Sequence, residues 1–290
     1  MPGFPKPKPP ANRAALERWI LQKAQADGLA PARMRRAVSF MVLSAVLARF
    51  TDDTGAPLFL LKGGVAMELR VGARARASRD YDTAFRADLA RLGEVLAAAS
   101  VHVHGAFRLT AGAAAPIGPT GAVRIPVRLG FAGYDWGSVD LEVSPAEGGS
   151  GAAGAIEYAA PAPALSVFGL PDGERVALLP LPYQVAQKLH ACTEVRTGRE
   201  NDRFRDLVDL ILLEELAAPE DLPRLRSACE EVFALRDRTP WPPVVTVYAG
   251  WREPYRALAD AMGFPVRDVE AAASAVTEFI ARIAAATAPD

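Results

Sequence analysis

A short apolar strand, a Gly-Gly turn, a helix and a second strand follow one another between Pro57 and Phe85, and this order constrains the fold most. PLFLLKGG reads as a buried strand, VAMELRV as the helix after the turn, and SRDYDTAF as a second strand by its alternation. Asp80 and Asp82 stand one residue apart on that second strand, so their side chains point to the same face. The order therefore predicts an α/β core with an acidic centre beside the turn.

The acidic pair and the turn favour a metal site that accepts phosphates. Asp80 and Asp82 group hard oxygen atoms in the way that suits Mg²⁺, which keeps several waters and bridges to substrate phosphates. Lys62, Gly63 and Gly64 open the helix, whose free backbone N–H groups can hold an anion. A Gly-Gly turn is also an ordinary strand-to-helix connection, so it is weak evidence without the carboxylates.

Further polar residues extend this candidate site. Ser78 can donate to a phosphate oxygen, and Arg76 can pair with a phosphate or brace a carboxylate. A two-metal phosphoryl-transfer site needs one more carboxylate. The strand SVDLEVS carries two candidates, Asp140 and Glu142, on one face. Either could act as general base or complete the coordination shell, and a salt-bridged solvent face is the alternative for both. The choice between them stays open, with the sequence context slightly favouring Glu142.

Arginines crowd around the acidic pair. They predict a basic rim suited to a polyanionic substrate, or else a solvated surface of an Arg-rich chain. The chain of 290 residues has a formal net charge of -1, which does not by itself indicate nucleic-acid binding. The six arginines of this rim are Arg70, Arg74, Arg76, Arg79, Arg86 and Arg91.

The pattern turns helical from Pro182 onward. Lys188 lies within a predicted helix, where a lysine is usually solvated, although one aimed at a triphosphate would neutralise developing charge. Asp206 and Asp209 lie three residues apart on one face of RFRDLVDLILL. The pattern alone favours a charged outer stripe on an amphipathic helix for this pair.

Composition and terminal segments bound the class of protein. Half of the residues are hydrophobic, which indicates a globular chain. Cys192 and Cys229 lack metal-ligand spacing and are typical of a reducing cytoplasm. No segment approaches the length of a membrane span, and the Pro-rich, basic N-terminus predicts a flexible arm rather than a signal peptide. The Gly/Ala/Pro-rich tracts at residues 112–121 and 146–163 read as loops.

Four segments in order resemble the AbiEii/AbiGii-type nucleotidyltransferase toxin family, part of the DNA polymerase β-like superfamily. They are LKGGVAMEL, RASRDYD, YQVAQKLHA and RFRDLVDL, and they span about Leu58 to Leu213. The resemblance implies an α+β fold with a polymerase β-like core, a mixed sheet with flanking helices, followed by a helical C-terminal part. The expected organisation is a flexible arm at residues 1–13, the transferase core at 14–180, and a helical domain at 181–290 that completes the active site.

The resemblance also implies roles for particular residues. It places the divalent cation, Mg²⁺ or Mn²⁺, on Asp80 and Asp82. Lys188 and Asp206 would form a second, helical half of the active site, whereas Asp209 matches the motif but could be structural. The predicted catalytic residues are Asp80, Asp82, Asp140, Glu142, Lys188 and Asp206, and the predicted nucleotide-binding residues are Lys62, Gly63, Gly64, Arg76 and Ser78.

Similar proteins transfer a nucleoside monophosphate from an NTP to an acceptor. Some, including mycobacterial ones, modify the acceptor end of tRNA, and many are paired with a cognate antitoxin. The resemblance therefore implies a cytoplasmic, Mg²⁺-dependent toxin that modifies RNA at the tRNA 3′ end and so blocks translation. One alternative is transfer to a small molecule or a protein hydroxyl. Another is a non-enzymatic nucleotide- or RNA-binding module, which the intact Asp-x-Asp pair opposes.

Overall fold

The computed structural model describes residues 3–118 and 121–287, and within them the chain forms a mixed sheet and a set of helices. The helices are α1 (Arg13–Ala26), α2 (Pro31–Leu47), α3 (Gly63–Val71), α4 (Leu92–Ala99), α5 (Leu181–Thr193), α6 (Arg205–Glu214), α7 (Leu222–Arg236), α8 (Arg252–Met262) and α9 (Val269–Ala285). The strands are β1 (Phe59–Leu61), β2 (Tyr81–Phe85), β3 (Val103–His104), β4 (Phe107–Ala111), β5 (Ala115–Ile117), β6 (Ala122–Phe131), β7 (Tyr134–Pro145), β8 (Glu157–Ala159) and β9 (Val176–Leu178).

The chain divides into two compact units. The first comprises the chain up to Arg70, Ala77–Ala146 and Ile156–Leu178. The second comprises Val71–Arg76, Glu147–Ala155 and the chain from Leu179 onward. The main division therefore falls next to the boundary predicted at residue 180, but two short segments from the earlier part of the chain belong to the second unit.

The first unit contains the whole sheet, whose strand order is β3-β4-β6-β7-β2-β1-β9-β8, with β5 paired to β6. The strands β4, β6 and β7 form an antiparallel meander. At the centre, β2 runs parallel to β7 and antiparallel to β1, and β1 runs parallel to β9. This mixed sheet with its flanking helices, followed by C-terminal helices, confirms the predicted α+β fold class.

Helix α2 covers one face of the sheet. Its Phe40 ring lies 5.7 Å from the ring of Tyr81 on β2, and the Ser44 hydroxyl lies 2.6 Å from the Tyr81 hydroxyl. The Trp136 indole on β7 donates to the Ser39 hydroxyl at 2.9 Å. Since successive side chains of a strand point to opposite faces, the residues that alternate with Tyr81 point away from this core. Asp82, the residue after Tyr81, therefore points to the face opposite this core.

The second unit is helical. Buried apolar side chains from α5, α6, α7 and α9 form its interior, and both cysteines lie there. Burial raises the pKa of the Cys192 and Cys229 thiols, so both stay protonated and unreactive. Across the part of the chain that the structure describes, no helix has the length and apolar character needed to cross a membrane.

Two tracts predicted as loops contain short strands. β5 lies in the tract at residues 112–121 and pairs with β6, and β8 lies in the tract at residues 146–163 and pairs with β9. Each strand is three residues long and rich in Ala, Pro or Gly neighbours, so neither carries the alternation that reveals a strand in a sequence. Residues 119 and 120 of the first tract lie outside the described residues.

The N-terminal segment also differs from the predicted flexible arm. The Phe4 ring meets the edge of Phe168 at 6.4 Å, and the Lys6 N–H donates to the Val167 carbonyl at 3.0 Å. A Cβ atom at Gly169 would lie 2.1 Å from the Lys8 carbonyl oxygen, so the glycine allows the backbone to pass. The described part of this segment is therefore a packed piece of the first unit.

An aromatic pair on β7 tests this account of the core. Trp136 is 1% exposed and meets Phe107 edge-on at 5.4 Å, whereas Tyr134, two residues earlier, is 66% exposed. Trp136→Ala should lower the free energy of unfolding by roughly 3 to 5 kcal/mol because it leaves a large cavity. Tyr134→Ala should change it by less than about 0.5 kcal/mol. Urea unfolding followed by far-UV circular dichroism would measure both, and equal losses would contradict the assigned core face.

Candidate active site

The Gly-Gly turn lies directly against the acidic pair. Gly63, the first residue of α3, has a φ of +62°, and a Cβ atom there would lie 1.9 Å from Asp82 Oδ2. A Cβ atom at Gly64 would lie 2.7 Å from Ser78 Oγ. Two features therefore require glycine at position 63, namely the left-handed backbone and the close approach of the carboxylate. The turn and the Arg-x-Ser-x-Asp-x-Asp segment are thus brought together as predicted.

Carboxylates from two parallel strands share the face opposite the core. β2 and β7 pair so that Asp82 is in register with Glu142. Asp140 precedes Glu142 by two positions on β7, whereas Asp80 lies one residue before β2 begins, so the predicted strand position of Asp80 is wrong. Tyr81 and every second residue after it along β2 are buried. Asp80, Asp82 and Glu142 are half-buried, and Asp140 is exposed. Neighbouring strands are about 4.8 Å apart, so Asp82, Asp140 and Glu142 form one acidic patch, and Asp80 directly precedes the strand that carries Asp82.

Arg124 distinguishes the two candidates for the third carboxylate. On β6 it is in register with Glu142, and its Nε and Nη2 atoms donate to Glu142 Oε1 at 2.9 and 2.5 Å. Glu142 chiefly raises the pKa of this guanidinium, and the charges of Asp80 and Asp140 add to the effect. The Asp140 side chain has no hydrogen-bond or ion-pair partner among the described residues. Glu142 therefore carries a basic partner and Asp140 does not.

Backbone and side-chain bonds hold the rest of this patch. The Lys62 ammonium donates to Ser144 Oγ at 2.7 Å, and the Lys62 N–H donates to the Asp82 carbonyl at 2.9 Å. The buried Ser78 hydroxyl donates to the Asp80 carbonyl at 3.0 Å. The Ser78 N–H donates to Glu68 Oε1 at 2.8 Å. Ser78 thus shapes the loop before β2, and Glu68, which sequence reasoning missed, fixes that loop to α3.

The donor chemistry fits a magnesium ion that shares its coordination with substrate phosphates. Asp82 supplies a carboxylate on the face opposite the core, and Asp80 supplies a second one from the residue before β2. The missing Cβ of Gly63 leaves room for the Asp82 carboxylate beside the turn. Mg²⁺ is commonly held by one or two carboxylates together with phosphates and water. Among the described residues, no group of three or more His, Cys, Asp or Glu side chains is arranged to hold a metal ion alone. A closed protein cage for the metal is therefore not part of this site.

The second unit contains a buried cluster of four charged side chains. Lys188 on α5 is 8% exposed, and its ammonium donates to Asp206 Oδ1 at 2.8 Å and to Asp209 Oδ2 at 2.6 Å. Arg76 donates to the same Asp209 oxygen from Nη2 at 3.1 Å and from Nε at 3.3 Å. The pattern of α6 favoured an exposed charged stripe for Asp206 and Asp209, and that interpretation is therefore wrong. Both aspartates face inward, and Arg76 braces a carboxylate.

Electrostatics keeps Lys188 and Asp209 of this cluster ionised. Burial by itself would lower the pKa of Lys188, but the charges of Asp206 and Asp209 outweigh it and raise that pKa. Burial would likewise raise the pKa of Asp209, but Lys188 and Arg76 outweigh it and lower that pKa. Asp209 Oδ1 is buried without a hydrogen-bond partner among the described residues. Two positive and two negative groups thus balance one another inside the second unit.

Most of the predicted arginine rim is engaged with carboxylates. Arg70 pairs with Glu157 at 2.5 Å, Arg86 with Asp52 at 3.0 Å, and Arg74 with Glu215. The side chains of Arg70 and Arg86 are about nine-tenths buried. The interpretation of these six arginines as an open basic rim is therefore wrong for Arg70, Arg76 and Arg86, whereas Arg74, Arg79 and Arg91 are exposed.

Comparisons with known proteins agree with this geometry. The family model described as "Nucleotidyl transferase AbiEii toxin, Type IV TA system" matches residues 45–281. Among solved structures, MenT4, a nucleotidyltransferase toxin from Mycobacterium tuberculosis H37Rv, is similar with a TM-score of 0.55 and 20% sequence identity. That match covers 95% of this chain and 90% of the MenT4 chain, and at this identity it shows the fold. No curated protein matches this chain in sequence.

The buried cluster predicts a pH-dependent contribution to stability. The pKa of Asp209 in the folded protein lies below its ordinary value of 3.8. Its stabilising effect is therefore present above that value and is lost as the pH falls toward the folded pKa. Asp209→Asn should lower the free energy of unfolding by roughly 3 kcal/mol at neutral pH, because two buried cations lose a counter-charge. The difference from wild type should shrink at about pH 3, below that ordinary value.

Urea unfolding at the two pH values would measure this difference. Asp260→Asn provides the control, because Asp260 is 53% exposed on α8 and should change stability by less than about 0.5 kcal/mol at either pH. If Asp209→Asn is as stable as wild type at neutral pH, the carboxylate does not hold the cluster together.

Proposed function

Because the chain belongs to the AbiEii family of nucleotidyltransferase toxins, we propose that it uses Mg²⁺ to transfer a nucleoside monophosphate from an NTP to the 3′ end of a tRNA. The family match covers most of the chain and confirms the resemblance drawn from the four motifs. The protein is a nucleotidyltransferase, and its family implies a cognate antitoxin as partner. Loss of tRNA charging through a modified 3′ end would block translation.

The approach of Gly63 to Asp82 carries the proposal. It brings the first turn of α3, with its backbone N–H groups, against the carboxylate that faces away from the core. A helix N-terminus favours phosphate oxygens, and paired carboxylates favour the divalent cation that accompanies a nucleoside triphosphate. A side chain with a Cβ atom at this position would separate the two. The geometry therefore supports a substrate that brings phosphates and metal together.

In the proposed reaction, an acceptor hydroxyl oxygen attacks the α-phosphorus of the NTP. The bond from that phosphorus to the bridging oxygen breaks, and pyrophosphate leaves. Asp80 and Asp82 would hold Mg²⁺, which would neutralise phosphate charge and lower the pKa of the attacking hydroxyl. We propose that Asp140 either accepts the released proton or fills the remaining coordination position, because Glu142 is already paired with Arg124. Lys62, held beside β7 by Ser144, is proposed to neutralise phosphate charge.

The roles of Lys188 and Asp206 rest on the family resemblance. Their direct ion pair supports a joint role, since the charge of Asp206 raises the pKa of Lys188. The buried Asp209 carboxylate accepts from both Lys188 and Arg76, so we propose that Asp209 and Arg76 position Lys188 without contacting substrate. A lysine kept positively charged by two carboxylates is suited to stabilising negative charge rather than to accepting a proton.

The acidic pair provides the direct test of activity. Asp80→Asn and Asp82→Asn should each slow transfer from an α-³²P-labelled NTP to total RNA by roughly a thousandfold, since a metal ion supplies several kcal/mol of stabilisation at about 1.4 kcal/mol per tenfold in rate. Asp53→Asn, at an exposed aspartate of the first unit, serves as the control and should keep full activity. Asp140→Asn and Glu142→Gln, compared side by side, would identify the third carboxylate.

Each outcome of that labelling experiment is informative. Label on a tRNA-sized band that disappears in both variants supports the donor, the acceptor and the site together. Pyrophosphate release without labelled RNA would redirect the acceptor to a small molecule or a protein hydroxyl. Full activity in both variants would remove Asp80 and Asp82 from the mechanism.

Gly63→Ala tests the close approach itself. The new Cβ atom would lie 1.9 Å from Asp82 Oδ2, so the carboxylate must move, and transfer should fall by about a hundredfold or more. Gly72→Ala is a matched control, because Gly72 has almost the same φ, +63°, but open space around a Cβ atom. Both variants carry a similar cost of about 1 kcal/mol for the left-handed backbone. Only the first should lose activity, as measured by initial transfer rates beside thermal melting.

A further inference from the structure

The acidic face of the sheet continues beyond the carboxylates as an exposed, basic surface. Along β6, Arg124, Pro126 and Arg128 are exposed while the residues between them are buried. Along β4, Arg108 and Thr110 are exposed in the same alternation. β6 pairs with β7, and β4 pairs with β6, so the exposed residues of both strands share the face that carries Asp140 and Glu142. We call the residues Arg108, Thr110, Arg128 and Ser138 the arginine face.

The strand register places these side chains next to one another. Arg128 on β6 lies opposite Ser138 on β7 and opposite Thr110 on β4. Arg108 is two residues before Thr110, which makes it a diagonal neighbour of Arg128 at about 7 to 8 Å between Cα atoms. Arg124 precedes Arg128 by four residues, or roughly 13 Å along the strand, and meets Glu142. A row of positive charge therefore leads away from the acidic patch.

The two outer arginines differ from those of the predicted rim. Within the part of the chain that the structure describes, the side chains of Arg108 and Arg128 form no hydrogen bond or ion pair. Arg70 and Arg86 are buried against carboxylates. Hydroxyl groups flank Arg128 on both sides, and no carboxylate lies directly opposite it across either strand pair. Guanidinium and hydroxyl groups together are the usual donors to nucleic-acid phosphates.

We propose that the arginine face binds phosphates of the acceptor RNA strand and leads its 3′ end toward the carboxylates. The proposal rests on the proposed function, because it names where that reaction's acceptor is held. Charge complementarity selects the occupant. The face is positive where it leaves the acidic patch, and a strand of regularly spaced phosphates is the polyanion that must reach this patch. Contacts of this kind orient a nucleic acid without reading its sequence.

Fluorescence anisotropy of a labelled RNA hairpin with a single-stranded 3′ end would test the arginine face. The double variant Arg108→Gln/Arg128→Gln should bind this RNA roughly tenfold more weakly than wild type, and the slope of log K against log salt should become shallower by about 1.4, or 0.7 for each lost phosphate contact. Arg18→Gln, at an exposed arginine on α1, should change neither value. Arg108→Lys/Arg128→Lys should keep most of the affinity and of the salt dependence, which separates lost charge from lost folding.

The outcomes separate this proposal from the proposed function. Binding is measured without NTP, so it does not require catalysis, and pyrophosphate release reports the transferase separately. Weaker RNA binding in the Gln pair, with normal melting temperature, supports the arginine face even if no RNA becomes labelled. Equal affinity and equal salt slope in wild type and the Gln pair would overturn it, even if labelling succeeds. Absence of RNA binding by the wild-type chain would also overturn it.

Discussion

The first unit depends on one contact that only a glycine allows. At Gly63 the chain leaves β1, turns with a positive φ, and starts α3 with its backbone against the carboxylate of Asp82. The same turn fixes Gly64 against Ser78, whose N–H is held by Glu68 from α3. The helix start, the loop before β2 and the acidic residue on β2 are therefore positioned by one another. These parts can approach one another this closely only because Gly63 has no side chain.

The two faces of the sheet around this contact have different roles. Parallel pairing of β2 with β7 aligns their alternation, so the apolar residues meet α2 while the acidic residues lie together on the opposite face. The antiparallel strands β6 and β4 extend both faces sideways. One face thereby supplies the core of the unit, and the other presents carboxylates at its centre and arginines at its side.

Sequence reasoning predicted the elements whose periodicity is strong. The order of strand, turn, helix and strand around the Gly-Gly turn was predicted correctly because glycine and alternation are local signals. The short strands β5 and β8 were missed, since three residues cannot establish a period. Arg124 and Glu68 were missed as well, because their partners lie on other elements and no local pattern announces such pairing.

The buried charges show where local pattern fails in the other direction. Asp206 and Asp209 stand on one face of α6, and a helical face with two carboxylates reads as solvent-exposed. Burial of that face became possible because Lys188 comes from α5 and Arg76 from a short segment that precedes β2 in the chain. A helical wheel of α6 contains none of this information. The family resemblance linked Lys188 with Asp206, which the ion pair now joins directly.

Charge balance in this cluster has an evolutionary consequence. Losing one member leaves an uncompensated charge in a buried place, whereas replacing opposite charges together by apolar groups is often neutral for stability. Substitutions at Arg76, Lys188, Asp206 and Asp209 should therefore appear in related sequences as correlated exchanges that preserve zero net charge. Lineages in which all four residues have become apolar together would retain a folded second unit. An alignment of related sequences would therefore show these four positions changing as a set rather than one at a time.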